Sequence, residues 1–295
     1  MRCLVFGGTG MLGHAVVSEA RSRGWAALGL SHAQADIADI AEPGERLLGW
    51  ADSFRPELVV NCAAFTKVDA CETEQAQAFA VNGQGVAHAA AVAARAGAPF
   101  VHVSTDYVFD GRGSDPYRED DPTGPLSVYG RSKLAGEGHA LAYEKGLVVR
   151  TSWLFGPGGP NFVATMVGLI EAGKVPLRVV RDQEGCPTYT PFLARALLDL
   201  AGRGATGVVH YRNREATSWY AFAAEIARLW SGDVEVVPVA TAEFPRPAPR
   251  PAWSVLDVTR FERLAGRSVE PWEDGLVETL RELRRERESR QGRRG

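Results

Sequence analysis

Cysteine is scarce in this chain: four in 295 residues, Cys3, Cys62, Cys71 and Cys186, with no C-x-x-C pair and no histidine-rich partner segment. That scatter excludes a disulfide framework and a zinc site, and it points to reduced thiols in a cytoplasmic protein. Positive charge is not in excess either. Lys and Arg total 33 against 36 Asp and Glu, a formal net charge of -3, which argues against a nucleic acid partner. No apolar stretch approaches the length of a membrane span, so no membrane partner is expected. The opening residues, Met1 to Phe6, run straight into glycines, without the apolar core and small-residue cleavage site of a signal peptide. There is no internal repeat and no flexible linker. The composition, 45% hydrophobic, is enough for one large domain or two closely joined ones.

The first motif stands at the front of the chain. Arg2 to Phe6 reads as a buried strand, Gly7-Gly8-Thr9-Gly10-Met11-Leu12-Gly13 as a glycine loop, and the stretch ending near Arg23-Gly24 as a helix. In that order they form a dinucleotide fingerprint. The glycines permit a tight turn and close approach to a pyrophosphate, whose charge the helix N-terminus attracts. Gly7, Gly10, Met11, Leu12 and Gly13 are the expected cofactor contacts. A second strand, Trp25 to Leu30, ends in Ser31-His32 rather than in the acidic residue that would grip a ribose 2′-hydroxyl and repel a 2′-phosphate. NADPH is therefore open as the cofactor, NADH also being possible, with Ser31 near the ribose. Asp36 and Ile37 are placed to flank the adenine; a turn cap is the competing role for Asp36. A third strand, Leu58 to Ala64, ends in small residues that admit a flat ligand, which puts Ala63, Ala64, Phe65 and Thr66 at the cofactor's adenine-ribose half.

An alanine-rich helix is expected from about Glu74 to Ala96, with Asn82 inside it against its propensity. A buried strut and an anchor for water behind a lysine are both open to that amide. The fourth strand, Phe100 to Ser104, delivers Thr105 to the C-terminal edge of the sheet, where ligands sit in open α/β folds. A polar run, Asp110 to Thr123, reads as a loop over the site. It leads to Val128-Tyr129-Gly130-Arg131-Ser132-Lys133, a helical segment in which a phenol and an ammonium four residues apart share one face. The ammonium is expected to lower the pKa of the phenol and make it an acid or base near neutral pH. Thr105, Tyr129 and Lys133 are the candidate catalytic residues, Tyr129 and Lys133 also reaching the cofactor. The pattern as a whole predicts an α/β fold, a Rossmann-type doubly wound parallel sheet over residues 1–151. Residues 152–295 are expected to form mainly a smaller substrate-binding lobe, some of whose segments return to the sheet.

Longer motifs narrow the reading. Asn61-Cys62-Ala63-Ala64-Phe65-Thr66-Lys67-Val68-Asp69, Ser104-Thr105-Asp106-Tyr107-Val108-Phe109, Tyr129 to Glu137, Arg150-Thr151-Ser152-Trp153-Leu154, Asp182 to Thr188, and Arg250-Pro251 with Ser254 resemble the dTDP-4-dehydrorhamnose reductases. These belong to the extended short-chain dehydrogenase/reductase superfamily, and the similarity runs in order along nearly the whole chain. It implies NADPH-dependent reduction of the 4-keto group of dTDP-4-dehydro-β-L-rhamnose to dTDP-β-L-rhamnose, a nucleotide-sugar substrate. Tyr129 would protonate the C4 oxygen as a hydride arrives, Lys133 would hold the ribose and tune the phenol, and Thr105 would polarise the carbonyl. Thr105, Asp106 and Trp153 would contact substrate; a cap and a core aromatic are the alternatives for Asp106 and Trp153.

The chain departs from the resemblance in two respects. Ala15 and Pro191 stand where some relatives bridge a dimer through a glutamate-held metal. Neither side chain can ligate, so no metal is expected, and the chain should be a monomer or a weak homodimer without one. Trp253 stands where many relatives carry a small polar residue; an indole beside the substrate mouth would change which sugar fits. The proline-rich stretch Phe244 to Pro251 is expected to drape over that mouth, and the arginine-rich run from Arg281 to the last residue to be a frayed helix end. Another deoxysugar nucleotide as substrate is one competing reading. A non-catalytic dinucleotide-binding subunit, like that regulating some methionine adenosyltransferases, is the other; intact Thr105, Tyr129 and Lys133 favour catalysis over it.

Overall fold

A computed structural model describes residues 1–38 and 45–292. The chain runs through β1 (Arg2–Phe6), α1 (Met11–Ser22), β2 (Ala26–Leu30), α2 (Glu45–Phe54), β3 (Leu58–Asn61), α3 (Val68–Thr73) and α4 (Gln75–Phe79). A π-helical turn (Ala80–Gln84) separates α4 from α5 (Gly85–Ala96), followed by β4 (Phe100–Thr105), α6 (Val128–Leu141) and β5 (Gly146–Thr151). The second half contributes β6 (Leu154–Phe155), α7 (Phe162–Glu171), β7 (Leu177–Val180), β8 (Glu184–Gly185), β9 (Thr188–Tyr189), α8 (Thr190–Gly202) and β10 (Gly207–His210). It closes with β11 (Thr217–Ser218), α9 (Trp219–Trp230), β12 (Val236–Val239), α10 (Thr259–Ala265) and α11 (Trp272–Gly292).

The main sheet has the order β10-β5-β4-β3-β1-β2, every neighbouring pair parallel. Both faces are covered, which is why its strands read as continuous apolar runs. Cys3, Val5, Val60, Val103 and Val149 pack on one side with residues of α1, α8 and α10. Leu4, Phe6, Val59, Phe100 and Val148 pack on the other with residues of α2, α5 and α6. This is the doubly wound parallel sheet expected. The strand order reverses between β1 and β3, so the crevice opens beyond their C-terminal ends.

The second half divides its residues between the two bodies of apolar side chains. It supplies β10 to the sheet edge and α8 and α10 to one face. Its remaining elements enclose a separate core of Phe155, Val163, Val167, Val179, Phe222, Ile226 and Leu276. Among the described residues no helix is long and apolar enough to cross a membrane. Helix α11 reaches Gly292, and residues 293–295 of the arginine-rich run lie outside the described residues.

The segment expected as one helix from Glu74 to Ala96 is broken by the π turn around Asn82. That widening turns the amide toward the loop after β3. Asn82 Oδ1 accepts the Phe65 N–H at 2.8 Å, and Nδ2 donates to Phe65 O and Ser132 Oγ, both at 3.0 Å. With both amide hydrogens engaged, Asn82 is a buried strut tying the loop after β3 to α6.

Candidate active site

At the mouth of the crevice, α1 is pressed against the glycine loop: a Cβ on Gly13 would lie 2.1 Å from Gly7 O. Gly10 caps α1 with no side-chain hydrogen bond, and the first turn holds no acidic residue. The first intrahelical bond is His14 N to Gly10 O at 2.8 Å, so the amides of Met11, Leu12 and Gly13 precede it. Such an uncapped terminus of a full-length helix fits a pyrophosphate. Ala63, Ala64 and Phe65 are half-buried and Thr66 exposed along the loop after β3. Ser31 is tied to Gln34 Oε1 through N at 3.0 Å and Oγ at 2.9 Å. Asp36 Oδ1 accepts the Ala38 N–H at 2.9 Å and Oδ2 lies 3.2 Å from His32 Nε2, so this carboxylate caps a turn. The Ile37 side chain packs in the core with Leu30 and Val86.

Thr105 ends β4 and is 6% exposed. Its Oγ1 donates to Asp106 Oδ1 at 2.9 Å and accepts the Tyr107 N–H at 3.2 Å. Tyr129 lies in the first turn of α6, whose N-cap Ser127 accepts the Gly130 N–H at 3.1 Å, and the Thr105 hydroxyl acts on its phenol, favouring the charged form. Burial, and then the Asp106 carboxylate, push the Tyr129 phenol up from its ordinary value. This corrects the expectation of a lowered phenol. The physical reason is that Lys133 is engaged behind the site: Nζ donates to Val103 O at 2.7 Å and lies 3.4 Å from His102 Nε2. Burial draws Lys133 itself down to about 8, with Glu137 and Cys62 opposing. A phenol that holds its proton through neutral pH is a donor rather than a base.

Asp106 is 2% exposed. Burial raises its carboxyl to about 6 despite the Ser254 and Thr105 hydroxyls, and its Oδ2 has no hydrogen-bond partner among the described residues. An orphaned buried oxygen beside Thr105 fits a ligand hydroxyl. Behind α6, Arg150 grips Glu137 through Nε at 2.9 Å and Nη2 at 2.7 Å, and Ser104 Oγ donates to the same carboxylate at 2.6 Å. This buried bidentate pair sets how α6 sits on β4 and β5.

Trp153 has a left-handed backbone, φ 46°. Its indole stacks on Trp219, with ring centroids 3.6 Å apart and planes 8° from parallel. Gly185 also lies against the indole: a Cβ there would come within 2.6 Å of it. The aromatic wall continues to Phe162, 4.6 Å from Trp219. Next to it opens a cavity of about 480 Å³ whose lining includes Trp219, Phe162, Tyr107, Phe244 and three arginines, Arg178, Arg246 and Arg250. Arg250 Nη1 donates to Asp69 Oδ1 at 2.5 Å. Flat aromatic faces beside guanidinium groups suit a nucleoside diphosphate. The proline-rich stretch therefore does border a ligand-sized cavity.

Sequence reasoning missed most of this pocket. Arg178 lies almost seventy residues before Arg246 and Arg250, which share the proline-rich stretch, and of the three only Arg250 belongs to a motif. Trp253 lies outside the lining of this cavity. Its Nε1 donates to Asp115 O at 2.9 Å and its ring packs with Phe109 and Tyr117, so it clamps the loop after β4. Ala15 is packed in the core and Pro191 lies in the first turn of α8. Among the described residues, no three His, Cys, Asp or Glu side chains gather as a metal site.

A family model described as the RmlD substrate binding domain matches residues 1–285. A dTDP-4-dehydrorhamnose reductase of Streptomyces griseus is 43% identical over 95% of this chain and 93% of its own length. The chain belongs to the dTDP-4-dehydrorhamnose reductase family. Solved structures of this family agree. A dTDP-4-dehydrorhamnose reductase of Clostridium acetobutylicum matches with a TM-score of 0.89 at 38% identity, covering 96% of this chain and 100% of that one. One of Bacillus anthracis, in complex with NADP, matches with a TM-score of 0.86 at 34% identity, covering 95% and 99%.

Proposed function

We propose that the protein is an NADPH-dependent reductase of nucleotide-sugar biosynthesis, converting dTDP-4-dehydro-β-L-rhamnose to dTDP-β-L-rhamnose. The observation that carries the reading is the buried, hydrogen-bonded pair of Thr105 and Asp106, with the half-buried Tyr129 phenol under the influence of both side chains. It is supported by family membership along almost the whole chain. NADPH, with NADH as a possible substitute, would be held at its pyrophosphate by the amides of Met11, Leu12 and Gly13, and beside Ala63, Ala64, Phe65 and Thr66. The bound cofactor supplies a hydride to the sugar carbonyl carbon.

This chain's own residues do the rest. The Thr105 hydroxyl orients the carbonyl oxygen, and Tyr129 donates its phenolic proton to that oxygen as negative charge develops there. Asp106, with its free Oδ2, accepts a hydrogen bond from a sugar hydroxyl, and the stacked Trp153 and Trp219 wall off the ring from water. The arginines hold the diphosphate. Residues 1–151 act as the dinucleotide-binding domain and residues 152–295 mainly as the substrate lobe. The enzyme works in the cytoplasm as a monomer or weak homodimer with no bridging metal, in keeping with Ala15 and Pro191 and with four free thiols.

Steady-state oxidation of NADPH with enzymatically generated dTDP-4-dehydro-β-L-rhamnose tests the reading, with the product identified by NMR. Tyr129→Phe is expected to lower kcat by about a hundredfold or more while leaving NADPH affinity unchanged. Wild type that binds NADPH but oxidises none with any 4-keto sugar nucleotide would overturn it.

A further inference from the structure

The strand that carries Thr105 also carries a histidine the scheme above leaves unused. His102 is fully buried in β4 and sits in register with Asn61 of β3. Asn61 Oδ1 accepts the Ala63 N–H at 3.1 Å, which only the amide oxygen can do. The amide nitrogen is therefore the atom facing His102 Nδ1 at 3.2 Å. An amide nitrogen donates, so Nδ1 is the bare acceptor nitrogen and the proton of the neutral ring sits on Nε2. Burial first, and the Lys133 cation second, hold the imidazole well below its ordinary value, so a second proton does not enter. The Nε2–H then points at Lys133 Nζ, 3.4 Å away. One Nζ hydrogen is committed to Val103 O at 2.7 Å. An ammonium facing that N–H sets donor against donor, whereas an amine offers it a lone pair.

We propose that His102 is a positioning residue for the reductase: held by Asn61 with its proton on Nε2, it offers an N–H to Lys133 Nζ and weakens that lysine's hold on its proton. This rests on the reading of Tyr129 as the acid. When the Tyr129 O–H bond breaks and its proton passes to the sugar oxygen, a phenolate is left. Solvent returns the proton to the phenolate. When Lys133 loses a proton to solvent at alkaline pH, the electron pair left on Nζ accepts the His102 N–H. The other titratable groups acting on Lys133 are Cys62, at the end of β3, and Glu137, one turn on along α6. Burial pushes the Cys62 thiol up to about 12 and keeps it neutral, and Arg150 pairs with Glu137. Tyr129 lies one turn back on the same helix.

Nitrogen-15 NMR of the full chain labelled on its histidine rings reads the tautomer without substrate. His102 is expected to be neutral with its proton on Nε2 from about pH 7 to about pH 9. Asn61→Asp keeps the bond to Ala63 but puts an acceptor opposite Nδ1, so the proton should move to Nδ1. In turnover, His102→Gln and Asn61→Asp should each carry the alkaline limb of kcat about one unit higher, a roughly tenfold change in the lysine's proton equilibrium. The double variant should go no further than either alone. Wild-type His102 with its proton on Nδ1, or charged, overturns the proposal, and so does an alkaline limb that stays put in both variants. Failure of the reductase reading has its own signature, a wild type inactive on every 4-keto sugar nucleotide whatever the tautomer, and it overturns the proposed role as well.

Discussion

Asp106 carries a buried carboxylate one of whose oxygens meets no donor among the described residues. Its folded value of about 6 stands above the ordinary 3.8, so the folded chain holds a proton that the unfolded chain releases. The stabilising contribution is complete below the ordinary value and is lost as pH rises through about 6. Above that, the buried charge costs about 3 kcal/mol, from roughly two units at about 1.4 kcal/mol each. Asp106→Asn should recover part of this, about 1–2 kcal/mol near pH 8 and almost nothing near pH 4, since the new amide hydrogen is itself left unpaired. Thermal melts at the two pH values check the sign, and kcat/KM should fall in the same variant. Had the carboxylate been well solvated, both melts would be unchanged. The residue types at Thr105, Tyr129 and Lys133 were legible from spacing. The direction in which the Tyr129 phenol is displaced was not, because it depends on where Lys133 Nζ points, and that is decided by Val103 and His102 on another element.

Helix α6 holds Tyr129 and Lys133, yet its sequence, with glycines at 130, 136 and 138, shows no broad apolar stripe. It is held instead by backbone contact and by the Ser104–Glu137–Arg150 network. Two of its glycines should respond oppositely to the same substitution. A Cβ on Gly136 would lie 2.1 Å from Asn82 O, so Gly136→Ala must push α6 off the π turn. About 1–3 kcal/mol is expected to be lost, with kcat falling as Tyr129 is displaced. Gly138 is exposed, and among the described residues nothing lies within 4 Å of an added Cβ. Gly138→Ala should gain about 0.5–1 kcal/mol with kcat unchanged. Denaturant melts of the two variants side by side decide it; equal effects would mean that the close approach is not what seats the helix. Periodicity also concealed the π turn, because the turn is produced by what Asn82 binds and not by what it neighbours in sequence.

At the scale of the whole molecule, the cavity beside the Thr105–Tyr129 cluster is assembled from residues of both halves. Arg250 reaches Asp69 across 181 residues of chain, Arg246 comes from the same proline-rich stretch, and Arg178 from β7. Arg250→Ala should raise KM for the sugar nucleotide about ten- to a hundredfold, as expected for losing one charge-assisted contact of about 1.5–3 kcal/mol. The same variant should change kcat less than about threefold and leave NADPH affinity alone, because the glycine loop lies in another part of the crevice. Steady-state kinetics with calorimetric NADPH titration separates these. A loss confined to kcat would place Arg250 in the chemistry and not in substrate capture.

The sequence alone was enough for the parallel α/β architecture, the glycine loop at the start of α1, and the order in which Thr105, Tyr129 and Lys133 arrive. Each of these is written in short-range signals: apolar runs of strand length, glycines where backbones must touch, and a four-residue spacing that puts two side chains on one helical face. Tertiary structure alone decided that β10 is the segment of the second half that joins the sheet edge, that Trp253 clamps the loop after β4, and that the Asp36 carboxylate takes the turn-capping role. It also decided that His102 stands behind Lys133 and that Arg178 meets Arg246 and Arg250 in one cavity. The physical reason is common to all of them. Where a side chain points, and what its burial does to its protons, is set by the groups packed against it, and those come from segments that no local pattern in the chain connects.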